Sequence, residues 1–300
     1  MCAVPLHPHP VTLREALTAA TTRFAADEHL RGQASRDAEL LLLHTLDITR
    51  VALLTNSGRE LTPDQQIRYE VAIDRRLRYE PIQYITGQQE FYGLALAVTP
   101  AVLIPRPETE LMVEAVLKLL PTDQPLKIAD IGTGSGAIAI ALATHLPRAE
   151  ITALDISAEA LAVATANALV HDVAGRIRLL QSDLLSAVDL GAAAFDAIVS
   201  NPPYVPDSDR ETLHPEVRDY EPATALFAGE SGLDVYRRLI PQAGSALKAG
   251  GLLAMEIGHG QRPAVAALLR QWDDVSFIKD LQLIPRVVLA RSPLDSVTIR

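Results

Sequence analysis

The sequence predicts an α/β protein in which a helical bundle precedes a Rossmann-like, doubly wound sheet of seven strands. Three observations lead to this fold class. Residues 11–80 show only helix-like patterns. An apolar run at 126–131 leads through glycines into a second apolar stretch at 136–147, which is the strand–turn–helix order of a nucleotide-binding sheet. Short apolar runs then alternate with helical stretches along the rest of the chain, as repeated β–α units do.

The N-terminal part reads as a small bundle of helices. A hydroxyl residue stands before the first turn at Thr12 and again at Thr62, and Pro63 occupies the first helical position after Thr62. A further helix starts at Ser35 and is apolar enough to be central in the bundle. We therefore assign residues 1–80 to a helical domain.

A short linker and a larger domain follow. Residues 81–105 are predicted to form a β-hairpin linker, because residues 91–98 are strand-like around a glycine. Residues 106–300 form the second domain and open on a helix whose first turn carries Glu108 and Glu110. The helix dipole favours acids there, so we interpret both as structural.

A glycine-rich loop follows the first strand of the second domain, and it predicts an adenosine-type ligand. The loop residues are Gly132, Thr133, Gly134, Ser135 and Gly136. A second strand at 151–154 ends in Asp155, 19 residues after Gly136, where a carboxylate can accept from both hydroxyls of a ribose. The loop alone also fits the pattern for NAD. Gly136, with Asp130 at the start of the motif, tilts the prediction toward S-adenosyl-L-methionine.

A third strand, at 177–180, is followed by two more candidate ligand residues. Asp183 could accept from an adenine amino group, and Leu184 could cover the ring. A turn-capping role for Asp183 is an equally good interpretation from the sequence.

The segment Asn201-Pro202-Pro203-Tyr204 carries the chemistry. It comes directly after a short buried strand at 195–200, at the edge of the sheet where α/β proteins bind ligands. Each proline restricts the residue before it to extended geometry. The Asn201 amide oxygen and the Pro202 carbonyl are two acceptors for the two hydrogens of an NH2 group, and Tyr204 can lie against a planar target. We therefore interpret the segment as a site for methyl transfer onto nitrogen and not as a structural Pro-rich turn.

The rest of the chain completes the sheet and leaves some roles open. Helices are predicted at 233–247 and 262–272, and strands at 251–257, 275–279 and 286–291. The sequence does not settle the roles of Arg106, between two prolines, or of the connection 205–232, whose length is typical of lids and binding loops. Glu256 is interpreted as a packing residue, and His214 and His259 as surface or capping groups.

The chain resembles the HemK/PrmC family of peptide chain release factor glutamine methyltransferases. The motifs that carry the resemblance are Glu90–Leu94, Leu103–Glu110, the glycine loop, Asp155, Gln181–Asp183, Ser200–Tyr204, Glu256–Gly258 and Pro285–Val288. The resemblance implies a class I methyltransferase domain that binds S-adenosyl-L-methionine through Gly132 to Gly136, Asp155, Asp183 and Leu184. It implies that Asn201 to Tyr204 hold the glutamine of a Gly-Gly-Gln loop. Leu184 departs from the family, whose members often carry an aromatic residue there.

Composition limits the partners. The net charge of −10 argues against an enzyme of duplex DNA, which would normally present a basic face. Cys2 is the single cysteine, which excludes an internal disulfide and fits a reducing cytoplasm. His7 and His9 have no further ligand nearby, so we predict no metal site, and no apolar stretch suits a membrane span.

We expect an enzyme that methylates the glutamine N5 nitrogen of class I release factors, with the helical domain gripping the substrate protein. Three alternatives stay open: glutamine methylation of a ribosomal protein, adenine-N6 methylation of a nucleic acid with Tyr204 stacked on a flipped base, and a non-catalytic binding module on the same fold. The acidic balance disfavours the nucleic-acid alternative, and the intact motifs disfavour the binding module.

Overall fold

The computed structural model describes residues 11–188 and 195–294. These residues divide into two compact units. The helical unit consists of residues 11–87 together with residues 214–220, and the sheet unit consists of residues 88–213 and 221–294. The predicted division into a helical domain, a linker and a second domain, with boundaries at residues 80 and 105, stays a prediction. The helical unit runs somewhat further, and it includes a later segment that the sequence did not associate with it.

The elements alternate as β–α units in the second half of the described chain. The helices are α1 Leu13–Ala25, α2 Ala34–Leu46, α3 Arg50–Thr55, α4 Pro63–Leu77, α5 Ile82–Thr86, α6 Pro107–Leu119, α7 Ala137–His145, α8 Ala158–Val170, α9 Pro215–Tyr220, α10 Ala223–Leu226, α11 Asp234–Ala246 and α12 Arg262–Leu268. The strands are β1 Gln88–Phe91, β2 Leu94–Ala97, β3 Leu126–Ile131, β4 Ala149–Asp155, β5 Ile177–Gln181, β6 Phe195–Ser200, β7 Leu247–Glu256, β8 Asp273–Lys279 and β9 Pro285–Arg291.

Side-chain caps start α1 and α4 where the sequence predicted. The side chains of Thr12 and Thr62 each accept a hydrogen bond from the backbone amide of the third residue of the helix. In return, the side chains of Glu15 and Gln65 accept from the backbone amides of Thr12 and Thr62. Each pair satisfies two backbone N–H groups that a helix start otherwise leaves open. The core of the unit is apolar, with Tyr69 fully buried and its hydroxyl donating to the Ala38 carbonyl at 2.9 Å.

A buried ionic cluster joins the later segment to the helical unit. Arg76 on α4 pairs with Asp37 on α2 at 2.7 Å and with Glu216 on α9 at 2.7 Å. Tyr220 adds a hydrogen bond from its hydroxyl to the Arg78 carbonyl at 2.7 Å. Arg76 and Asp37 are almost completely buried, so the one guanidinium neutralises two carboxylates in a region of low polarity.

The seven-stranded sheet has the order β5-β4-β3-β6-β7-β9-β8. Strands β3 to β7 run parallel, and β9 is antiparallel to both of its neighbours. The chain leaves β3 toward β4 on one side and later returns to β6 on the other, so the switch point lies between β3 and β6. Ile131 pairs with both Leu154 and Ser200, which sets the carboxyl ends of the three strands level. The predicted fold class is confirmed.

Both faces of the sheet are covered by apolar layers. Successive residues of β6 alternate between the layers: Ala197 and Val199 face the layer that holds α6, α7 and α8, and Ile198 faces the layer that holds α11 and α12. This alternation of successive side chains is the geometry of a strand buried on two faces.

Three elements differ from the sequence expectations. Residues 82–86, placed in the hairpin linker, form the short helix α5, which is too short to show a helical period. No helix was predicted at 158–170, where α8 is apolar on most sides and lacks a clear polar face. The connection 205–232 is not an open loop, because it contains a 3₁₀ segment at Asp207–Thr212 and the helices α9 and α10.

Within the described residues, no helix combines the length and apolar character needed to cross a membrane.

Replacing Arg76 with methionine should destabilise the helical unit by roughly 3–5 kcal/mol, because Asp37 would be left buried without a cation. Arg75→Met is the matched control: its ion pair with Glu80 is more exposed, and the loss should be roughly 1 kcal/mol or less. Hydrogen exchange of the α2 and α4 amides, measured by mass spectrometry, reports the local opening free energy. Equal losses in both variants would show that Arg76 does not hold the cluster.

Candidate active site

A cavity lies at the carboxyl ends of β3, β4 and β6, beside the switch point of the sheet. Its volume is about 360 Å³, within the range of ligand pockets, and mostly apolar side chains surround it. Nine of the predicted site residues line it: Gly132, Thr133, Gly134, Ser135, Asp155, Asp183, Leu184, Asn201 and Pro203. Gly136, Pro202 and Tyr204 are not among the lining residues. The assignment of these twelve residues to ligand binding stays a prediction, but the fold brings nine of them to one cavity.

The glycine loop is held open toward the cavity by backbone hydrogen bonds. The amides of Gly132 and Thr133 both donate to the Leu154 carbonyl, at 2.8 and 2.9 Å. Gly134 has a φ of +54°, and a Cβ atom added there would meet no protein atom within 4 Å. Gly134 thus combines a left-handed backbone with empty space in front of it, which is where a ligand can approach the backbone closely.

Gly136 serves packing instead. Its φ is +82°, and an added Cβ would come within 3.0 Å of Ile140 Cδ1 and 3.2 Å of Ala164 Cβ. The third glycine of the loop therefore lets α7 and α8 approach each other, which explains why it lies outside the cavity.

Asp155 fixes the glycine loop and keeps acceptor capacity. Its Oδ2 accepts from the Gly134 amide at 2.9 Å, and its Oδ1 accepts from the Ser157 amide at 2.9 Å. A carboxylate has about four lone-pair positions, so each oxygen can accept one more hydrogen bond. The side chain lines the cavity, and it can therefore hold two further donors such as a pair of hydroxyl groups.

Asp130 lies beneath the same loop and is completely buried. Its Oδ2 accepts from the Thr133 hydroxyl at 2.6 Å and from the Ala139 amide at 3.2 Å. Its Oδ1 has no hydrogen-bond partner among the described residues. Burial raises the pKa of Asp130 to about 7, and the two hydrogen bonds only partly oppose this rise.

Asp183 and Leu184 form the wall beyond β5. Asp183 forms an ion pair with Arg238 on α11 at 2.6 Å, which the sequence did not suggest. Leu184 has a φ of +53°, an uncommon conformation for a residue with a branched side chain. Such strain is common at functional sites.

A chain of hydrogen bonds runs from Asn201 into the core. The Asn201 Nδ2 donates to Thr109 Oγ1 at 3.1 Å, and the Thr109 hydroxyl donates to Glu256 Oε2 at 2.5 Å. Tyr204 donates to the other oxygen, Glu256 Oε1, at 3.2 Å. Burial raises the pKa of Glu256, and the hydrogen bonds from Thr109 and Tyr204 act in the opposite direction. Glu256 is thus the end point of a polar network, which goes beyond the packing role expected from the sequence.

Tyr204 is held tightly at the end of the tetrapeptide. Gln261 Nε2 donates to the Tyr204 carbonyl at 2.9 Å. A Cβ atom at Gly232 would come within 2.3 Å of that carbonyl oxygen, and one at Gly258 within 3.0 Å of the ring. Burial, followed by the neighbouring Glu256 charge, raises the pKa of Tyr204 well above its ordinary value, so the hydroxyl keeps its proton.

Arg106 does not line the cavity. It stands immediately before α6 without a side-chain cap hydrogen bond and pairs with Glu221 at 2.5 Å, and Glu221 also accepts from the Ile104 amide. Glu110 accepts from the Tyr92 amide in the hairpin turn at 2.8 Å, so its structural interpretation agrees with its contacts.

Sequence reasoning missed Thr109, Arg238 and Gln261, and it underrated Glu256. A usable signal existed for Glu256, since it stands at the carboxyl end of a central strand, on the same edge as the glycine loop. Among the described residues, no cluster of three or more His, Cys, Asp or Glu side chains could hold a metal ion. Cys2, His7 and His9 lie outside the described residues.

Comparison with known proteins decides the family. Residues 15–87 match the model of the PrmC N-terminal domain, and residues 108–216 match that of the methyltransferase small domain. The release factor glutamine methyltransferase of Koribacter versatilis is 47% identical over 94% of this chain and 99% of its own length. That of Moorella thermoacetica is 48% identical over 87% and 90%. The chain belongs to the release factor glutamine methyltransferase family. The resemblance found in the sequence is confirmed, and the protein is an enzyme of the methyltransferase class.

Solved structures agree on the fold. The hMettl16 catalytic domain in complex with MAT2A 3′UTR hairpin 1 matches with a TM-score of 0.55 at 15% identity, over 80% of this chain and 85% of its own. At that identity the likeness concerns the fold alone.

Asp130→Asn should flatten the pH dependence of stability. Since the pKa of Asp130 is raised, the folded state binds this proton more tightly than the unfolded state. The stability it contributes is complete below the unfolded pKa of 3.8 and is lost as the pH rises through about 7. Melting temperatures at about pH 5.5 and about pH 8 should therefore differ in the wild type by an amount that shrinks in the variant. The exposed Asp123→Asn should keep the wild-type difference, and equal differences in all three proteins would contradict this assignment.

Proposed function

We propose that this protein transfers a methyl group from S-adenosyl-L-methionine to the N5 nitrogen of the glutamine in the Gly-Gly-Gln motif of class I peptide chain release factors. The observation that carries the proposal is the placement of Asn201 at the carboxyl end of β6, beside the glycine loop on β3. The relatives named release factor glutamine methyltransferase support the substrate. The single cysteine accords with a cytoplasmic location.

The difficulty of the reaction lies in the nucleophile. An amide nitrogen is weakly nucleophilic because its lone pair is delocalised into the carbonyl. We propose that the Asn201 Oδ1 and the Pro202 carbonyl accept the two N–H bonds of the glutamine amide, while Tyr204 lies against its plane. Holding the nitrogen in one orientation can supply roughly 7–11 kcal/mol of the barrier. No general base is needed before transfer, since the proton can leave afterwards.

The cavity fits the proposed cofactor. Gly134 leaves room in front of its backbone, and Asp155 keeps two acceptor positions for ribose hydroxyls. Asp183 and Leu184 are assigned to the adenine, and the Asp183–Arg238 pair would have to open or share its carboxylate for that contact. The cofactor supplies an electrophilic methyl group on a sulfonium, and nearby carboxylates favour its positive charge.

Asp155→Ala should weaken binding of S-adenosyl-L-methionine. Hydrogen bonds to a charged acceptor are worth roughly 1.5–3 kcal/mol, which corresponds to roughly a 10- to 150-fold loss of affinity. Isothermal titration calorimetry measures this directly. Glu159→Ala is the control, because it removes an exposed carboxylate of α8 that does not line the cavity. Wild-type affinity in Asp155→Ala would remove Asp155 from the cofactor site.

The function is tested by mass spectrometry of intact release factors incubated with enzyme and cofactor. The expected product carries one additional methyl group on the glutamine of Gly-Gly-Gln. Asn201→Ala should abolish this product while cofactor affinity stays within a few fold, since the substrate amide would lose one acceptor. Parallel incubations contain ribosomal proteins and DNA. A methylated ribosomal protein or methyladenine, with release factors unmodified, would replace the proposal by the corresponding alternative.

A further inference from the structure

The hydrogen-bond chain that starts at Asn201 continues through two buried residues that lie outside the tetrapeptide. Thr109 lies in the first turn of α6 and Glu256 at the last position of β7, and both are at most 4% exposed. They are 147 residues apart in sequence, yet the Thr109 hydroxyl is 2.5 Å from the Glu256 carboxylate. Thr109 also lines the cavity that Asn201 lines.

The direction of each hydrogen bond follows from the chemistry of the groups. The Thr109 and Tyr204 hydroxyls each donate to a different oxygen of the Glu256 carboxyl group, and each hydroxyl has a single hydrogen, so both hydrogens point to Glu256. The Thr109 oxygen then has only lone pairs left to offer. Its partner must be a donor, and the Asn201 carboxamide therefore turns its NH2 group toward Thr109.

These hydrogen-bond directions determine which end of the Asn201 carboxamide faces the cavity. The two ends of a carboxamide have nearly the same size, so packing alone does not distinguish the amide from its flipped form. Hydrogen bonding does distinguish them, because a flipped Asn201 would set its oxygen against the lone pairs of Thr109. With the NH2 group bound to Thr109, the Oδ1 atom is the end left to accept from a ligand.

We infer that Glu256 and Thr109 are positioning residues that lock the Asn201 carboxamide with its acceptor toward the substrate, so that the site selects a group carrying two N–H donors. This inference rests on the proposed function, since it explains how the site meets an amide nitrogen. A flipped Asn201 would present a donor instead, which suits a carbonyl or carboxylate oxygen and turns the reacting nitrogen away.

The test compares three substitutions that separate the hydroxyl from the bulk of the side chain. Thr109→Val keeps the shape and removes the hydroxyl, whereas Thr109→Ser keeps the hydroxyl. Thr45→Val is the matched control, because Thr45 is similarly buried and its hydroxyl donates to the Leu41 carbonyl within α2. Each protein is assayed for kcat and KM on an intact release factor, for cofactor affinity by calorimetry and for melting temperature.

We expect kcat of Thr109→Val to fall roughly 100-fold, as misplaced reacting groups commonly cause. Its cofactor affinity should stay within a few fold, and its melting temperature should match that of Thr45→Val. Thr109→Ser should recover most of kcat, and Thr45→Val should keep it. Wild-type kcat in Thr109→Val, or a Thr109→Ser as slow as Thr109→Val, would overturn the inference.

A second measurement needs no substrate. The chain has three asparagines, Asn56, Asn167 and Asn201, so a protein labelled with ¹⁵N-asparagine should give three side-chain NH2 signals. Asn201→Asp identifies the signal of Asn201 by its absence. That signal should keep its position in Thr109→Ser and Glu256→Asp, and should shift and exchange faster with water in Thr109→Val and Glu256→Gln.

The two measurements separate this inference from the proposed function. An unchanged Asn201 signal in Thr109→Val and Glu256→Gln would overturn the lock even if release factors are methylated. A wild type that methylates no glutamine, with the Asn201 signal changing as expected, would instead refute the proposed substrate and leave the orientation of Asn201 supported.

Discussion

Carboxylates in and behind the cavity wall hold the candidate active site in shape. Asp130 binds the Thr133 hydroxyl, Asp155 binds the Gly134 amide, and Glu256 binds the hydroxyls of Thr109 and Tyr204. All three acids stand at or next to the carboxyl ends of parallel strands. The groups that bind them there are not already hydrogen-bonded within the sheet. Each acid converts a flexible loop or side chain into a fixed one before any ligand arrives. Such preorganisation is how a site without a strong base can act on an unreactive nitrogen.

The same carboxylates set the electrostatics of the cavity. Burial works against their charge, which is why the pKa values of Asp130 and Glu256 are both raised. A cationic ligand relieves part of that cost, and a phosphate-bearing ligand would add to it. This asymmetry favours a cationic ligand over the phosphate-bearing dinucleotides that share the glycine pattern, and the glycines themselves do not provide it.

Local patterns in the sequence predicted the parts of the site that lie within a few residues of one another. The strands at 126–131 and 195–200 have the predicted bounds, and the predicted glycine loop and tetrapeptide follow them. What the sequence could not predict depends on pairing between distant segments. The Thr109–Glu256 contact requires α6 to pack beside β7, and the Asp183–Arg238 pair requires α11 beside the end of β5. Neither pair leaves a periodic or spacing signal.

The segment 214–220 shows how far such long-range pairing reaches. Its composition suggested part of an open connection, yet Glu216 pairs with the buried Arg76 and the segment belongs to the helical unit. On one side the chain is fixed at Tyr204 by Gln261, and on the other at Glu221 by Arg106. The connection that follows the tetrapeptide is therefore tied at its start, middle and end.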